Sequence, residues 1–201
     1  MTPKQERQLH RLRHKYSKCK NCDLYLLRTK IVFGKGWCSK GVMILGEAPG
    51  PEENKAGVPF IGRAGKMLDK LLEIAGFDRN DCFIFNSTMC YPGKKDSGGF
   101  NKPDELQIIR CVVRMKQTIS ILKPRLIILL GGTALNSLTA RVGVEKNRGP
   151  GWAYEGERKY RIYVTYHPSA CARNPEFKKR AEKDWQRIGK HIRKLEAKGV
   201  K

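Results

Sequence analysis

The sequence predicts an α/β domain, a three-layer α/β/α sandwich around a central, mostly parallel four-stranded sheet. Three observations carry that expectation. Short apolar runs at Val42–Leu45, Cys82–Phe85, Pro124–Leu130 and Tyr160–Thr165 have strand length rather than helix length. They alternate with longer stretches of helical periodicity, the pattern of strands joined by crossover helices. The run Pro124–Leu130 is apolar but for Arg125, as suits a strand at the centre of a parallel sheet. At 201 residues the chain fits one domain, residues 1–201, long enough to bury a sizeable core.

Each element has its own signal. From Gln5 to Tyr16, Leu9, Leu12 and Tyr16 define the apolar side of a basic amphipathic helix. Cys19-Lys-Asn-Cys22 follows it. Lys35–Lys40 reads as a turn before the first strand, Gly41–Leu45. After that strand, Gly46–Gly65 is a glycine- and proline-rich loop, which needs tight turns and leaves its backbone open to a ligand. Gly62–Ala75 has helical spacing and ends at Gly76, a C′ glycine. The second strand, from Cys82, ends at Asn86. Pro103–Leu122 is a long helix with Pro103 in its first turn and Asp104 and Glu105 at its positive end. The third strand turns at Gly131-Gly132-Thr133 into a short helix through Leu138. A hairpin-like stretch surrounds Glu155-Gly156-Glu157 before the fourth strand, which runs into His167. Asn174–Lys198 is a long basic helix whose Phe177, Ala181, Trp185, Ile188 and Ile192 recur at core spacing.

Bulk properties narrow the function. Lys and Arg number 41 against 19 Asp and Glu, a formal charge of +22, which favours a polyanionic partner and nucleic acid above others. No apolar segment is long enough to span a membrane, and Met1–Arg7 lacks the apolar core of a signal peptide, so a soluble, cytoplasmic protein is expected. Seven cysteines without an export signal point away from a disulfide framework and towards metal ligation. Cys19, Cys22, Cys90 and Cys111 form two pairs that suit zinc or a [4Fe–4S] cluster, and spacing alone favours zinc. Cys82 opens an apolar strand and reads as core; Cys38 and Cys171 carry no assignment.

The loop reads G-E-A-P-G from Gly46 and P-F-I-G-R-A-G from Pro59, and Tyr166-His-Pro-Ser-Ala170 closes the last strand. These motifs resemble the family 4 uracil-DNA glycosylases, the iron–sulfur branch of the uracil-DNA glycosylase superfamily, over nearly the whole chain. The resemblance implies a monofunctional glycosylase of base excision repair, a monomer acting on uracil-containing DNA. It also moves the four cysteines from zinc to a [4Fe–4S] cluster that ties segment 1–40 to the core. The Cys90–Cys111 interval is longer than usual for the family, and the excess reads as a surface loop, Lys94–Asn101.

In an open α/β sheet, ligands bind beyond the carboxyl ends of the strands. That rule gathers Glu47–Phe60, Asn86–Cys90, Gly131–Thr133 and His167–Asn174. With the resemblance, Phe60 is expected to stack on a flipped base, Asn86 to read its Watson–Crick edge, and His167 to donate to O2 as negative charge builds there. Backbone N–H groups near Glu47 and Ala48 add to the anion site. Glu47 is expected to hold the attacking water, with Glu53 as second candidate. Ser169, Arg173, Arg63, Lys66 and Arg148 are expected DNA contacts, chosen on charge and position. Each has a bland alternative: Asn86 as a turn cap, His167 as a satisfied structural histidine, Phe60 as core. Two other functions fit the same chain, a cluster-bearing nucleic-acid-binding protein without glycosylase activity and a superfamily glycosylase of different base specificity.

Overall fold

A computed structural model describes residues 1–155 and 157–197. Gly156, at the tip of the expected hairpin, and Lys198, the expected end of the last helix, lie outside the described residues. The chain opens with helix α1 (Pro3–Tyr16) and a short turn of helix, α2 (Leu24–Leu27). Strand β1 (Val42–Gly46) leads through α3 (Pro51–Ala56) to α4 (Arg63–Ala75) and then β2 (Cys82–Asn86). Helix α5 (Glu105–Leu122), strand β3 (Leu126–Leu130), α6 (Gly131–Thr139) and α7 (Val144–Asn147) follow. The hairpin β4 (Gly149–Glu155) and β5 (Arg158–Thr165) completes the sheet, and α8 (Pro168–Cys171) and α9 (Pro175–Ala197) end the chain.

The sheet has five strands, in the order β2-β1-β3-β5-β4, rather than the expected four. β1, β2, β3 and β5 are mutually parallel. The addition is β4, antiparallel to β5 from Gly149↔Val164 to Glu155↔Arg158. Its first three residues, Gly-Pro-Gly, suppress any strand signal in the sequence, yet Pro is tolerated on an edge strand. A second difference is α3, a helical turn inside the glycine-rich loop, begun by Pro51 and stopped by Gly57 at φ +79°.

Alternation along the strands builds the three layers. In β1, Val42 and Ile44 face one core with Leu68, Leu71 and Leu72 of α4 and Trp185, Ile188 and Ile192 of α9. Met43 and Leu45 face the other, with Met115 and Ile119 of α5 and Leu135 of α6. Helix α1 joins this second layer through Leu9. Gln5 Nε2 donates to Ile121 O and Leu122 O, satisfying carbonyls that the end of α5 leaves free. The N-terminal segment is further tied down by Gln107 to Asp23 and Arg110 to Asn21 O. Lys94 and Phe100 bridge across an exposed miniature hairpin, so the extra residues project at the surface. Among the described residues no helix is long and apolar enough to cross a membrane.

Candidate active site

The parallel register brings the last residues of β1 and β2 side by side, Gly46 against Asn86. A Cβ at Gly46 would lie 2.4 Å from Asn86 Oδ1 and 2.5 Å from Phe60 Cζ. The amide and the aromatic ring therefore meet over a bare Cα, and only glycine leaves them room. Asn86 is 2% exposed, and its Oδ1 has no hydrogen-bond partner among the described residues. A buried carbonyl oxygen left unpaired is expensive, about 1–3 kcal/mol, and such groups persist where a ligand supplies the donor. The turn-cap alternative for Asn86 asks this same oxygen to accept from the chain, and it does not.

Phe60 is buried with the core layer of α4 and α9, but its backbone is unusual. Its φ is +52°, a left-handed conformation costing a bulky residue on the order of 1–3 kcal/mol. Several contacts hold it there. Arg79, paired with Asp69 at 2.6 Å, donates to Pro59 O at 2.7 Å and to Phe60 O at 2.5 Å. Glu53 Oε1 accepts from the N–H groups of Ile61 and Gly62, both at 2.9 Å. Glu53 is 6% exposed, and its Oε1 is taken up by the loop that carries Phe60. At Gly65 a Cβ would come within 1.9 Å of Phe60 O, so the first turn of α4 can pass the loop only as glycine.

His167 stands against the Phe60 ring, centroids 5.8 Å apart. Its Nδ1 accepts from Ser169 N at 3.2 Å and lies 2.8 Å from Ser169 Oγ. An acceptor at Nδ1 puts the imidazole proton on Nε2, where it is available as a donor. Burial pulls the His167 pKa down to about 4; Glu47 pushes it back up, while Arg173 and Lys102 lower it further. The ring is therefore neutral at pH 7. Glu47 accepts from Thr133 Oγ1 through Oε2 and from Thr88 N through its backbone carbonyl at 3.1 Å. Gly131, at φ +84°, lets the start of α6 approach His167, with a virtual Cβ 3.0 Å from His167 Cβ. Ala48 follows Glu47 as a half-buried residue.

Thr133 and Lys102 were not singled out as site residues in the sequence. Thr133 sits in one of the strand-end loops and had a positional signal; Lys102 lies beyond the extra hairpin and had none. The expected DNA contacts divide. Arg63 and Lys66 line one cleft with Met67, Lys70 and Ala172, beside the loop that carries Arg173. Ser169 is engaged with His167. Arg148 is taken up inside the fold, 3.0 Å from Asp184, whose other oxygen accepts from Thr165 at 2.8 Å.

Three of the four expected ligand cysteines, Cys19, Cys90 and Cys111, meet two arginines. Arg114 donates to Cys111 Sγ at 3.1 Å and also to Cys19 Sγ, while Arg28 donates to Cys90 Sγ at 3.3 Å and to Cys19 O at 2.6 Å. Burial raises the Cys90 and Cys111 thiols, the two arginines pull them back, and Cys22 is close enough for its charge to act on both. The four sulfurs thus share one cation-rich neighbourhood. Among the described residues no three Cys, His, Asp or Glu draw together as a single-ion site. One zinc needs every sulfur about 2.3 Å from a common point. Four cysteines are the donor set that an iron–sulfur cluster takes, and a zinc ion can take the same four.

An open α/β sheet with a ring, an amide, an imidazole and a carboxylate on its strand-end loops is the scaffold of an enzyme that could hold a planar heterocycle. The profile of the Uracil DNA glycosylase superfamily matches residues 33–188. The type-4 uracil-DNA glycosylase of Sulfurisphaera tokodaii is 34% identical over 188 residues, covering 90% of this chain and 83% of that one. That of Pyrobaculum aerophilum is 36% identical over 182 residues, covering 88% and 90%. The Thermotoga maritima protein of the same name is 36% identical over 159 residues, covering 78% and 79%. The chain belongs to the uracil-DNA glycosylase superfamily, among its type-4 members.

Proposed function

We infer that this chain excises uracil from DNA as a monofunctional glycosylase, leaving an abasic site. The observation that carries the reading is the buried, unpartnered Asn86 Oδ1 beside Phe60. Uracil presents N3–H to such an acceptor and O4 to the amide nitrogen. Cytosine presents the reverse order, leaving two buried groups mispaired, a penalty of a few kcal/mol. Phe60 supplies the stacking face.

Hydrolysis then needs charge handled on both sides of the N1–C1′ bond. As that bond breaks, its electron pair stays with uracil and delocalises onto O2, where the Nε2–H of neutral His167 donates. Such a donor stabilises the anion as an oxyanion hole does. Glu47, oriented by Thr133, holds the water whose oxygen bonds C1′ and offsets the positive charge on the sugar. The water's proton passes to the carboxylate and ends on the departing base. Arg63, Lys66 and Arg173 hold phosphates beside the mouth. Cys19, Cys22, Cys90 and Cys111 hold a [4Fe–4S] cluster that pins the N-terminal segment to α5; hydrolysis itself needs no redox step.

Uracil-containing single- and double-stranded oligonucleotides, treated with alkali after incubation, test the activity. Strand breaks at uracil are expected with wild type, and a loss of about a hundredfold or more with Glu47→Ala and with His167→Ala. Intact DNA after incubation with a protein that still binds it would instead mark a binding module. Brown protein with a visible absorption band supports the cluster; colourless protein with one equivalent of zinc contradicts it.

A further inference from the structure

The edge hairpin carries a surface that the pocket does not use. Trp152 and Tyr154 of β4 are 38% and 59% exposed. They alternate with buried Ala153, so both stand on the same face of the edge. Opposite them in register are Arg161 and Lys159. Lys159 Nζ lies 4.0 Å from the Trp152 ring centroid and 5.7 Å from that of Tyr154; the Arg161 guanidinium is 5.4 Å from Trp152. Exposed Lys194 of α9 extends the positive field, since its charge and that of Arg161 both act on His191.

We propose that this aromatic and cationic face of β4–β5 binds the unpaired DNA strand flanking the target base, an inference that rests on the uracil reading of the pocket. Continuity supports it. β4 begins at Gly149, paired with Val164, three residues from His167, and Trp152 pairs with Arg161 roughly 10 Å further along β5. The face is thus a track leading from the pocket's rim down the sheet edge. Charge and ring chemistry fix the occupant. Aromatic platforms set among cations are what proteins use to hold single strands, because every base has a π-face and every nucleotide a phosphate. Base stacking is a stronger contact than an exposed ammonium over a ring, so a base displaces Lys159 from Trp152, and the freed ammonium meets the phosphate. A duplex offers no free base faces, and its stiffness keeps it from turning off the strand-end mouth and down the edge.

The test separates this track from the pocket. Binding of a labelled oligothymidylate, which contains no uracil, is followed by fluorescence anisotropy for wild type and for Trp152→Ala/Tyr154→Ala. The double variant is expected to lose about tenfold in affinity per ring removed, and Trp152→Phe/Tyr154→Phe to restore most of it. With uracil substrates, the alanine variant should raise KM on a long single strand while leaving kcat, duplex cleavage and a substrate too short to reach the hairpin unchanged. Equal losses on all substrates, or none on any, would overturn the proposal and leave the face as a hairpin clasp. Photo-crosslinking of wild type to a reactive thymidine analogue near the uracil needs no variant; adducts at Trp152 or Tyr154 are expected, and adducts confined to other segments count against it. Tight oligothymidylate binding without excision would sink the uracil reading alone, whereas excision with variant binding equal to wild type would sink the track alone.

Discussion

Gly46 is a single bare Cα on which the pocket's two recognition groups converge, and Gly46→Ala tests that convergence directly. The added methyl meets Asn86 Oδ1 and Phe60 within 2.5 Å, so excision should fall about a hundredfold or more in a single-turnover assay. His167 makes a prediction about pH. An exposed histidine titrates near 6.5, roughly, whereas burial holds this one at about 4. The acid limb of the excision profile should therefore show no inflection near the ordinary histidine value. The same displacement has a sign for stability: between those two pH values the unfolded chain takes up a proton that the folded one refuses. Stability should thus decline as pH falls through that window, and His167→Gln should flatten the decline in denaturant titrations. At this scale Glu47, Phe60, Asn86 and His167 are legible as a set, because motif and strand-end rule agree on them, and the structure brings the Phe60 ring against His167 and beside Asn86. It could not distinguish Glu47 from Glu53, since both are acids on one loop. The structure gives the two acids different partners: the Glu53 carboxylate accepts from the N–H groups of Ile61 and Gly62, and that of Glu47 from Thr133.

Secondary elements were legible where local chemistry is explicit. Asp104 caps α5 reciprocally with Gln107, and Thr2 caps α1 with Gln5. Gln5 also reaches the last carbonyls of α5, so Gln5→Ala should lower stability by about 1 kcal/mol, read as a shift in denaturation midpoint. Trp185 is fully buried between α9 and the sheet, and Trp185→Ala should cost about 3–5 kcal/mol. Strand β4 was legible only in part: a hairpin around Gly156 could be read, but not the strand that precedes it. Its Gly-Pro-Gly start has poor strand propensity, and the strand exists because β5 offers an open edge to pair with.

Across the whole molecule, the two hydrophobic layers fix the sheet, and the sheet fixes where its loops end. Nothing local in Lys102 announces a site, and Thr133 has only its place in a strand-end loop; tertiary placement brings Thr133 to Glu47 and Lys102 within electrostatic reach of His167. The positive charge, so plain in the composition, divides in the fold. Some of it is consumed internally, as with Arg148 on Asp184 and Arg114 on the cysteine sulfurs, and some lines the cleft at Arg63 and Lys66 and the edge at Lys159 and Arg161. Substituting Cys90 or Cys111 by Ala should abolish any visible absorption and release the N-terminal segment to proteolysis before the sheet unfolds.

The most direct measurement is the single-turnover rate of uracil release by wild type and by Asn86→Ala from one oligonucleotide. Release by wild type, slowed about a hundredfold or more in the variant with DNA affinity little changed, is the predicted result. Equal rates for the two proteins would mean that the buried amide does not read the base, and the pocket described here would not be where uracil is recognised.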